Sequence, residues 1–171
     1  MAEKLFDVSS KRTKRGDRRD MPIREAIAQL FVKELEEFKI RELSNEELKG
    51  QILYMGELKV KSDGAFEVQT RGKTVYIFYE LKGYGDNSND ILSAITAAQL
   101  VKEMPKFKNS SLYYYIGVNS NREKSGFTRK SLGKAIEPYI KWAESKEFLW
   151  FYGIVEIGEI LTDIRKRLES G

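Results

Sequence analysis

The 171-residue chain contains no cysteine and no histidine. Without cysteine there is no disulfide, no thiolate nucleophile and no cysteine-ligated zinc or iron–sulfur cluster. Without histidine there is no Ser-His-Asp triad, no HExxH metalloprotease motif and no imidazole general base. Any bound metal ion must therefore be held by oxygen atoms, which favours Mg²⁺ or Mn²⁺. A general base must be a carboxylate, a lysine, a tyrosine or a metal-bound water.

Long apolar runs are also absent. No run approaches the roughly 18 apolar residues of a membrane span, and no signal-peptide pattern follows Met1. We therefore expect a soluble, cytoplasmic protein with no membrane partner. The length and the hydrophobic fraction of 41% suit one domain with a substantial core. The net charge of +4 permits a nucleic-acid partner without establishing one.

Two segments concentrate basic residues. Residues 1–21 contain the run KRTKRGDRR and few apolar positions, which predicts a flexible basic arm ahead of a single domain over residues 22–171. A polar loop is predicted over residues 119–130. The alternative for both segments is an ordinary solvated terminus or loop. The residues predicted to contact DNA are Arg12, Lys14, Arg15, Asn119, Asn121, Arg122, Lys124, Arg129 and Lys130.

The hydrophobic periodicity between these segments predicts a mixed α/β fold. A helix begins at Pro22, three strands follow as a meander, and a helix then leads to a strand parallel to the third. Further C-terminal helices and a last strand complete the order. The predicted strands are 50–61, 65–70, 74–82, 112–118 and 148–157, and the later helices are 90–104, 131–146 and 159–168.

A group of charges stands out at the end of the apolar strand 74–82. Side chains alternate along a strand, so Glu80 and Lys82 share one face. A turn near residue 72 makes paired positions sum to roughly 143 to 145, which places Asp63 opposite residues 80–82. Two carboxylates can hold one or two Mg²⁺ ions, and a lysine can orient a water or stabilise developing charge on a phosphate. The alternative is an ion pair on an edge strand beside an ordinary turn aspartate.

The arrangement of an aspartate in a turn, Glu-x-Lys on the next strand, and then helix and strand resembles the PD-(D/E)XK nuclease superfamily. The resemblance spans about residues 22–118 and implies a restriction-endonuclease-like core of helix, three-strand meander, helix and strand. The sequence departs from the family where Ser62 replaces the common proline and where Glu103 replaces a tyrosine found in some relatives. A second Glu-Leu-Lys at residues 57–59 lacks a preceding acidic turn and is set aside. By resemblance, Asp63, Glu80 and Lys82 are catalytic; Asp63, Glu80 and the Leu81 carbonyl bind metal; and Glu25 and Gln99 are possible additions to the site.

The function implied by this resemblance is a metal-dependent deoxyribonuclease that hydrolyses phosphodiester bonds. We expect a small Type II restriction-type endonuclease, using Mg²⁺ with Mn²⁺ as a substitute, acting on DNA as a homodimer. Two alternatives remain open: a Holliday-junction resolvase of the same fold, and a non-catalytic nucleic-acid-binding protein.

Overall fold

The computed structural model describes residues 21–53, 55–82, 88–118, 138–139, 141–153 and 157–170. The described helices are α1 (Met21–Glu34), α2 (Ser88–Glu103), α3 (Pro105–Lys108) and α4 (Ile157–Ser170). The described strands are β1 (Lys39–Glu42), β2 (Lys49–Ile52), β3 (Gly56–Lys59), β4 (Gly64–Thr70), β5 (Lys73–Lys82), β6 (Ser111–Val118) and β7 (Leu149–Gly153).

A mixed five-stranded sheet, in the order β1-β4-β5-β6-β7, forms the centre of the described fold. The β1–β4 and β4–β5 pairs are antiparallel, whereas β5–β6 and β6–β7 are parallel. The helix α2 connects β5 to β6, as a parallel pair requires a long crossover connection. This connection confirms the prediction that the strand at 112–118 runs parallel to the strand at 74–82.

Each face of the sheet carries its own apolar cluster, because successive side chains of β5 point to opposite faces. One cluster includes Phe78, Tyr114 and the α2 residues Ile91, Ala94, Ile95 and Ala98. The other joins Ile77, Tyr79 and Tyr115 to Ile27 and Phe31 of α1 and to Ile160 and Ile164 of α4. The strand β5 is therefore covered on both sides, which explains its continuous β-branched and aromatic run.

The predicted three-strand meander needs correction. Residues 50–61 were expected to form its first strand, but β2 and β3 make a separate two-stranded sheet, in which β3 begins at Gly56 with a φ of 83°. The main sheet instead uses β1, where no strand was predicted. An alternating pattern identifies a strand but not its partner, and three of the four residues of β1 are exposed. The mixed α/β class is confirmed, whereas the specific restriction-endonuclease core is not.

The remaining predicted elements fall close to those observed. The helices predicted at 90–104 and 159–168 correspond to α2 and α4, and the strand predicted at 148–157 corresponds to β7. Half of the helix predicted at 131–146 falls outside the described residues, and within the other half residues 138–139 and 141–144 are helical. Nearly all of the predicted arm at 1–21 lies outside the described residues. Among the described helices, none combines the length and apolar character needed to cross a membrane.

Candidate functional site

The β4–β5 hairpin brings Asp63 beside Glu80. The ladder pairs Gly64 with Tyr79, with paired positions summing to 143, and the Asp63 amide donates a hydrogen bond of 3.1 Å to the Tyr79 carbonyl. The Asp63 amide thus bonds to the same residue that pairs with Gly64, and the regular pairing ends there, one residue before Asp63 and Glu80. The register predicted from the turn near residue 72 is confirmed as far as Gly64, and Asp63 lies next to the strand that carries Glu80.

The next strand contributes a tyrosine to this face. Tyr114 of β6 pairs with Phe78, and the two rings stack with centroids 5.7 Å apart. From this buried position the Tyr114 hydroxyl donates a hydrogen bond of 3.1 Å to Glu80 Oε2. The glutamate is thus oriented by a side chain that is itself fixed in the core, and this kind of support keeps a ligand carboxylate in place.

The electrostatics of Tyr114 place both carboxylates close to its hydroxyl. Burial raises the pKa of Tyr114 well above its ordinary value, and the negative charge and hydrogen bond of Glu80 raise it further. The charge of Asp63 adds to the same shift. Tyr114 therefore remains a neutral hydrogen-bond donor under ordinary conditions, and Asp63 and Glu80 share it as a neighbour.

This raised pKa predicts a loss of stability in alkali. A group whose pKa is higher in the folded than in the unfolded state stabilises the fold below the unfolded pKa, about 10 for tyrosine, and loses that contribution as pH rises further. We expect the free energy of unfolding to fall above about pH 10, and to fall less steeply in Tyr114→Phe. Urea unfolding at a series of pH values measures both slopes. Parallel slopes for the two proteins would contradict the assignment of this titration to Tyr114.

Asp63 also lines a cleft of about 420 Å³, between the β3–β4 connection and the segment that follows β1. We call it the Asp63 cleft; its lining residues include Leu43, Ser44, Asn45, Leu48, Ser62 and Ala65. The Ser62 Oγ atom is buried and has no hydrogen-bond partner in the described part of the chain. The cleft thus places polar groups and an apolar surface immediately beside the carboxylate pair.

One wall of the Asp63 cleft is held by a charge network centred on Glu47. The Ser44 amide donates to Glu47 Oε2 at 2.9 Å while the Glu47 amide donates to Ser44 Oγ at 3.3 Å, which is the reciprocal pattern of a capping box. Arg41 donates two hydrogen bonds of 2.9 Å to the Glu47 carboxylate, and Lys106 donates a third at 3.0 Å. Arg41, the Ser44 amide and Lys106, in that order, hold the pKa of Glu47 far below its ordinary value.

The donor set around Asp63 and Glu80 suits Mg²⁺ or Mn²⁺ chemically. Mg²⁺ usually keeps several waters and takes one or two protein carboxylates together with ligand phosphates. Across the described ranges, no three acidic side chains are grouped as ligands for one ion, so the two carboxylates would act as a pair. Leu81 and Lys82 end β5, where the backbone register places them opposite Gly117 and Val118. The metal contact of the Leu81 carbonyl and the catalytic role of Lys82 remain predictions.

The roles of the other predicted site residues remain predictions. Glu25 is an exposed residue of α1 and, in the described part of the chain, does not form a three-carboxylate group with Asp63 and Glu80. Gln99 is half-buried in α2, with its Nε2 atom buried and unpartnered among described residues. The predicted DNA-binding residues at 12–15 and 119–130 lie outside the described residues.

Sequence reasoning missed Tyr114, although its signal was available. The strand β6 contains three consecutive tyrosines, and composition does not distinguish them. Only the alternation of side chains along the strand, together with the parallel register, shows that the second tyrosine lies on the face of Glu80. Once Phe78 is paired with Tyr114, the tyrosine shares the face of Glu80 and lies within reach of its carboxylate. The unpartnered Ser62 hydroxyl carried no comparable signal, because its burial depends on tertiary packing.

No family model matches the chain, and no curated protein matches it. A match among solved structures is the Acinetobacter baumannii Cap4 SAVED/CARF-domain containing receptor, solved with the cyclic trinucleotide 2'3'3'-cAAA. The two chains share 10% sequence identity at a TM-score of 0.39. The match covers 88% of this chain and 35% of the receptor, so the chain spans about a third of the receptor's length.

These findings correct two predictions. The chain was expected to belong to the PD-(D/E)XK superfamily, but no family model matches it and the matching structure is described as a SAVED/CARF-domain receptor. The predicted function, a Mg²⁺-dependent Type II restriction-type endonuclease or alternatively a junction resolvase, depended on that superfamily and is wrong as well. There are two structural reasons: residues 50–61 do not belong to the main sheet, and Glu-x-Lys is so short a pattern that it occurs five times in this chain.

Proposed function

We propose that this chain binds the phosphate of a nucleotide or nucleic acid through a divalent cation, Mg²⁺ or Mn²⁺, held by Asp63 and Glu80. The observation that carries the proposal is that the hairpin brings both carboxylates to one place: the Asp63 amide bonds to Tyr79, the neighbour of Glu80, and Glu80 accepts a hydrogen bond from Tyr114, whose hydroxyl also feels the charge of Asp63. Two like charges close together repel each other, and a divalent cation between them would offset that repulsion.

We infer that the ligand contains a phosphate from the way in which proteins usually coordinate Mg²⁺ or Mn²⁺. A cation held by only two carboxylates keeps open positions, and in protein sites of this kind ligand phosphates commonly occupy them. The excess of basic over acidic residues, 30 against 26, supports a polyanionic partner such as DNA. Tyr114 supports the same site, because its hydroxyl fixes the orientation of Glu80 without adding charge.

Hydrolysis of the bound phosphate ester remains a prediction from the sequence, as does the catalytic role of Lys82. The homodimer predicted from the sequence likewise remains a prediction. The binding function does not depend on either, since it requires only the cation and the two carboxylates.

Metal-dependent binding of an oligonucleotide tests the proposal. A fluorescently labelled single- or double-stranded DNA should bind at least about tenfold more tightly with Mg²⁺ than with excess EDTA, measured by anisotropy at fixed ionic strength. Recovering the DNA afterwards and sizing it on a denaturing gel tests hydrolysis separately. Equal affinities with Mg²⁺ and with EDTA, for both forms of DNA, would overturn the proposed function.

A further inference from the structure

The Asp63 cleft has the size and lining of a small-ligand site. Its volume of about 420 Å³ lies in the range of roughly 300–1,000 Å³ that such sites occupy. Leu43 and Ala65 are buried residues that supply an apolar surface, and Leu48 is half-buried beside them. An apolar surface with a few polar groups suits a flat heterocycle better than it suits a chain of charged groups.

The polar groups of the cleft match the uncharged part of a nucleotide. The exposed Asn45 presents both a donor and an acceptor, the pair that an asparagine amide uses on the edge of adenine. Ser62 supplies a hydroxyl that is buried and unpartnered within the described residues, and buried hydroxyls are nearly always hydrogen-bonded. A small rotation of the serine side chain would let its hydroxyl form a hydrogen bond with a hydroxyl group of the ligand.

The charges around the cleft argue against an anion inside it. Glu42 and Asp63 both line the cleft, so a phosphate there would face two carboxylates without an intervening cation. A nucleotide would place its phosphate on the cation at Asp63 and its neutral nucleoside in the adjoining space. The wall that carries Asn45 is fixed by the capping box and by the pairing of Glu47 with Arg41 and Lys106, so the cleft is preformed.

We infer that the Asp63 cleft binds the nucleoside of the ligand, with Asn45 hydrogen-bonding to the base and Ser62 to the sugar. This inference rests on the proposed function, because the phosphate of the same ligand occupies the cation at Asp63 and Glu80. It adds selectivity for the nucleoside to a site that would otherwise recognise any phosphate ester.

Two probes separate the nucleoside from the phosphate: adenosine 5′-monophosphate, and ribose 5-phosphate, which lacks the base. With Mg²⁺ present, calorimetry should show adenosine 5′-monophosphate binding at least about tenfold more tightly than ribose 5-phosphate. Asn45→Ala should weaken the nucleotide about fivefold, the typical effect of losing one hydrogen bond, and leave ribose 5-phosphate unchanged. Ser62→Ala should weaken both probes alike, because both contain the sugar.

Asn109→Ala is the matched control, since Asn109 is an exposed asparagine that follows α3 and does not line the cleft. Its two affinities should equal those of the unsubstituted protein. Equal Mg²⁺-dependent affinity for the two probes, with no effect of Asn45→Ala or Ser62→Ala, would overturn this inference and leave the proposed function standing. Failure of both probes to bind with Mg²⁺, in a protein that also fails to bind DNA, would overturn the two together.

Discussion

Replacing Gly64 with alanine should lower the free energy of unfolding by about 3 kcal/mol, at the upper end of the usual cost of overpacking. A Cβ atom on Gly64 would lie 2.1 Å from Cε1 and 2.4 Å from Cζ of the Tyr79 ring. Either the ring or the strand must therefore move.

Neither can move freely. Tyr79 is buried and stacks on Phe31 at a centroid distance of 5.0 Å and on Phe66 at 6.2 Å. A shift of the ring would disturb these contacts, and a shift of the strand would disturb the hydrogen bond from the Asp63 amide to the Tyr79 carbonyl. Because that hydrogen bond ties Asp63 to the strand that carries Glu80, the substitution should also weaken ligand binding at the carboxylate pair.

Gly158→Ala is the matched control. Gly158 lies in the first turn of α4, and a Cβ there would meet no other atom within 4 Å. Alanine has a higher helix propensity than glycine by up to about 1 kcal/mol, so this variant should unfold at an equal or higher urea concentration. Similar stabilities for the two alanine variants would contradict the packing described for Gly64 and Tyr79.

Asp63→Asn and Glu80→Gln should each weaken the Mg²⁺-dependent binding of DNA by about 10–100-fold. Losing an outer partner of a metal ligand costs that much in metal affinity, so losing a ligand itself should cost at least as much. Both amides keep the shape of the carboxylate, and a glutamine at 80 can still accept the hydrogen bond from Tyr114 through its carbonyl oxygen. The variants should therefore fold normally, which unfolding curves can check.

Glu57→Gln separates this effect from a general loss of negative charge. Glu57 is exposed in β3 and belongs to the second Glu-Leu-Lys triplet, at residues 57–59. The Glu57→Gln variant should bind DNA in the presence of Mg²⁺ with the same affinity as the unsubstituted protein. A loss of affinity in Glu57→Gln as large as in Glu80→Gln would point to the second triplet, or to net charge, rather than to the hairpin site.

The local features of the hairpin could be predicted from the sequence. The turn at Arg71 and Gly72 is marked by composition, with both residues at positive φ, and counting from it gives the observed ladder as far as the pair of Gly64 with Tyr79, one residue short of Asp63 and Glu80. The parallel strand after α2 was predictable for a similar reason, since an apolar strand, a helix and another apolar strand form a recurring unit. Both inferences concern elements that are close together in the sequence or are joined by a single helix.

Features set by packing could not be predicted in the same way. The strand β1 reads Lys-Ile-Arg-Glu and owes its place to pairing with β4, where Arg41 lies opposite Glu67 and bonds to it at 2.8 Å. The separation of β2 and β3 from the main sheet is equally invisible in an alternating pattern. The close approach of Tyr79 to Gly64 depends on where the ring is held by α1, and periodicity carries no information about that.

Direct titration of Mn²⁺ tests the central claim, that Asp63 and Glu80 hold a divalent cation together. Free Mn²⁺ gives an electron paramagnetic resonance signal that decreases on binding, so the titration reports the ion without any nucleic acid present. The unsubstituted protein and Glu57→Gln should each bind one ion per chain at this site, in competition with Mg²⁺. The Asp63→Asn, Glu80→Gln double variant should lose that site, whereas undiminished Mn²⁺ binding by a folded double variant would contradict the account.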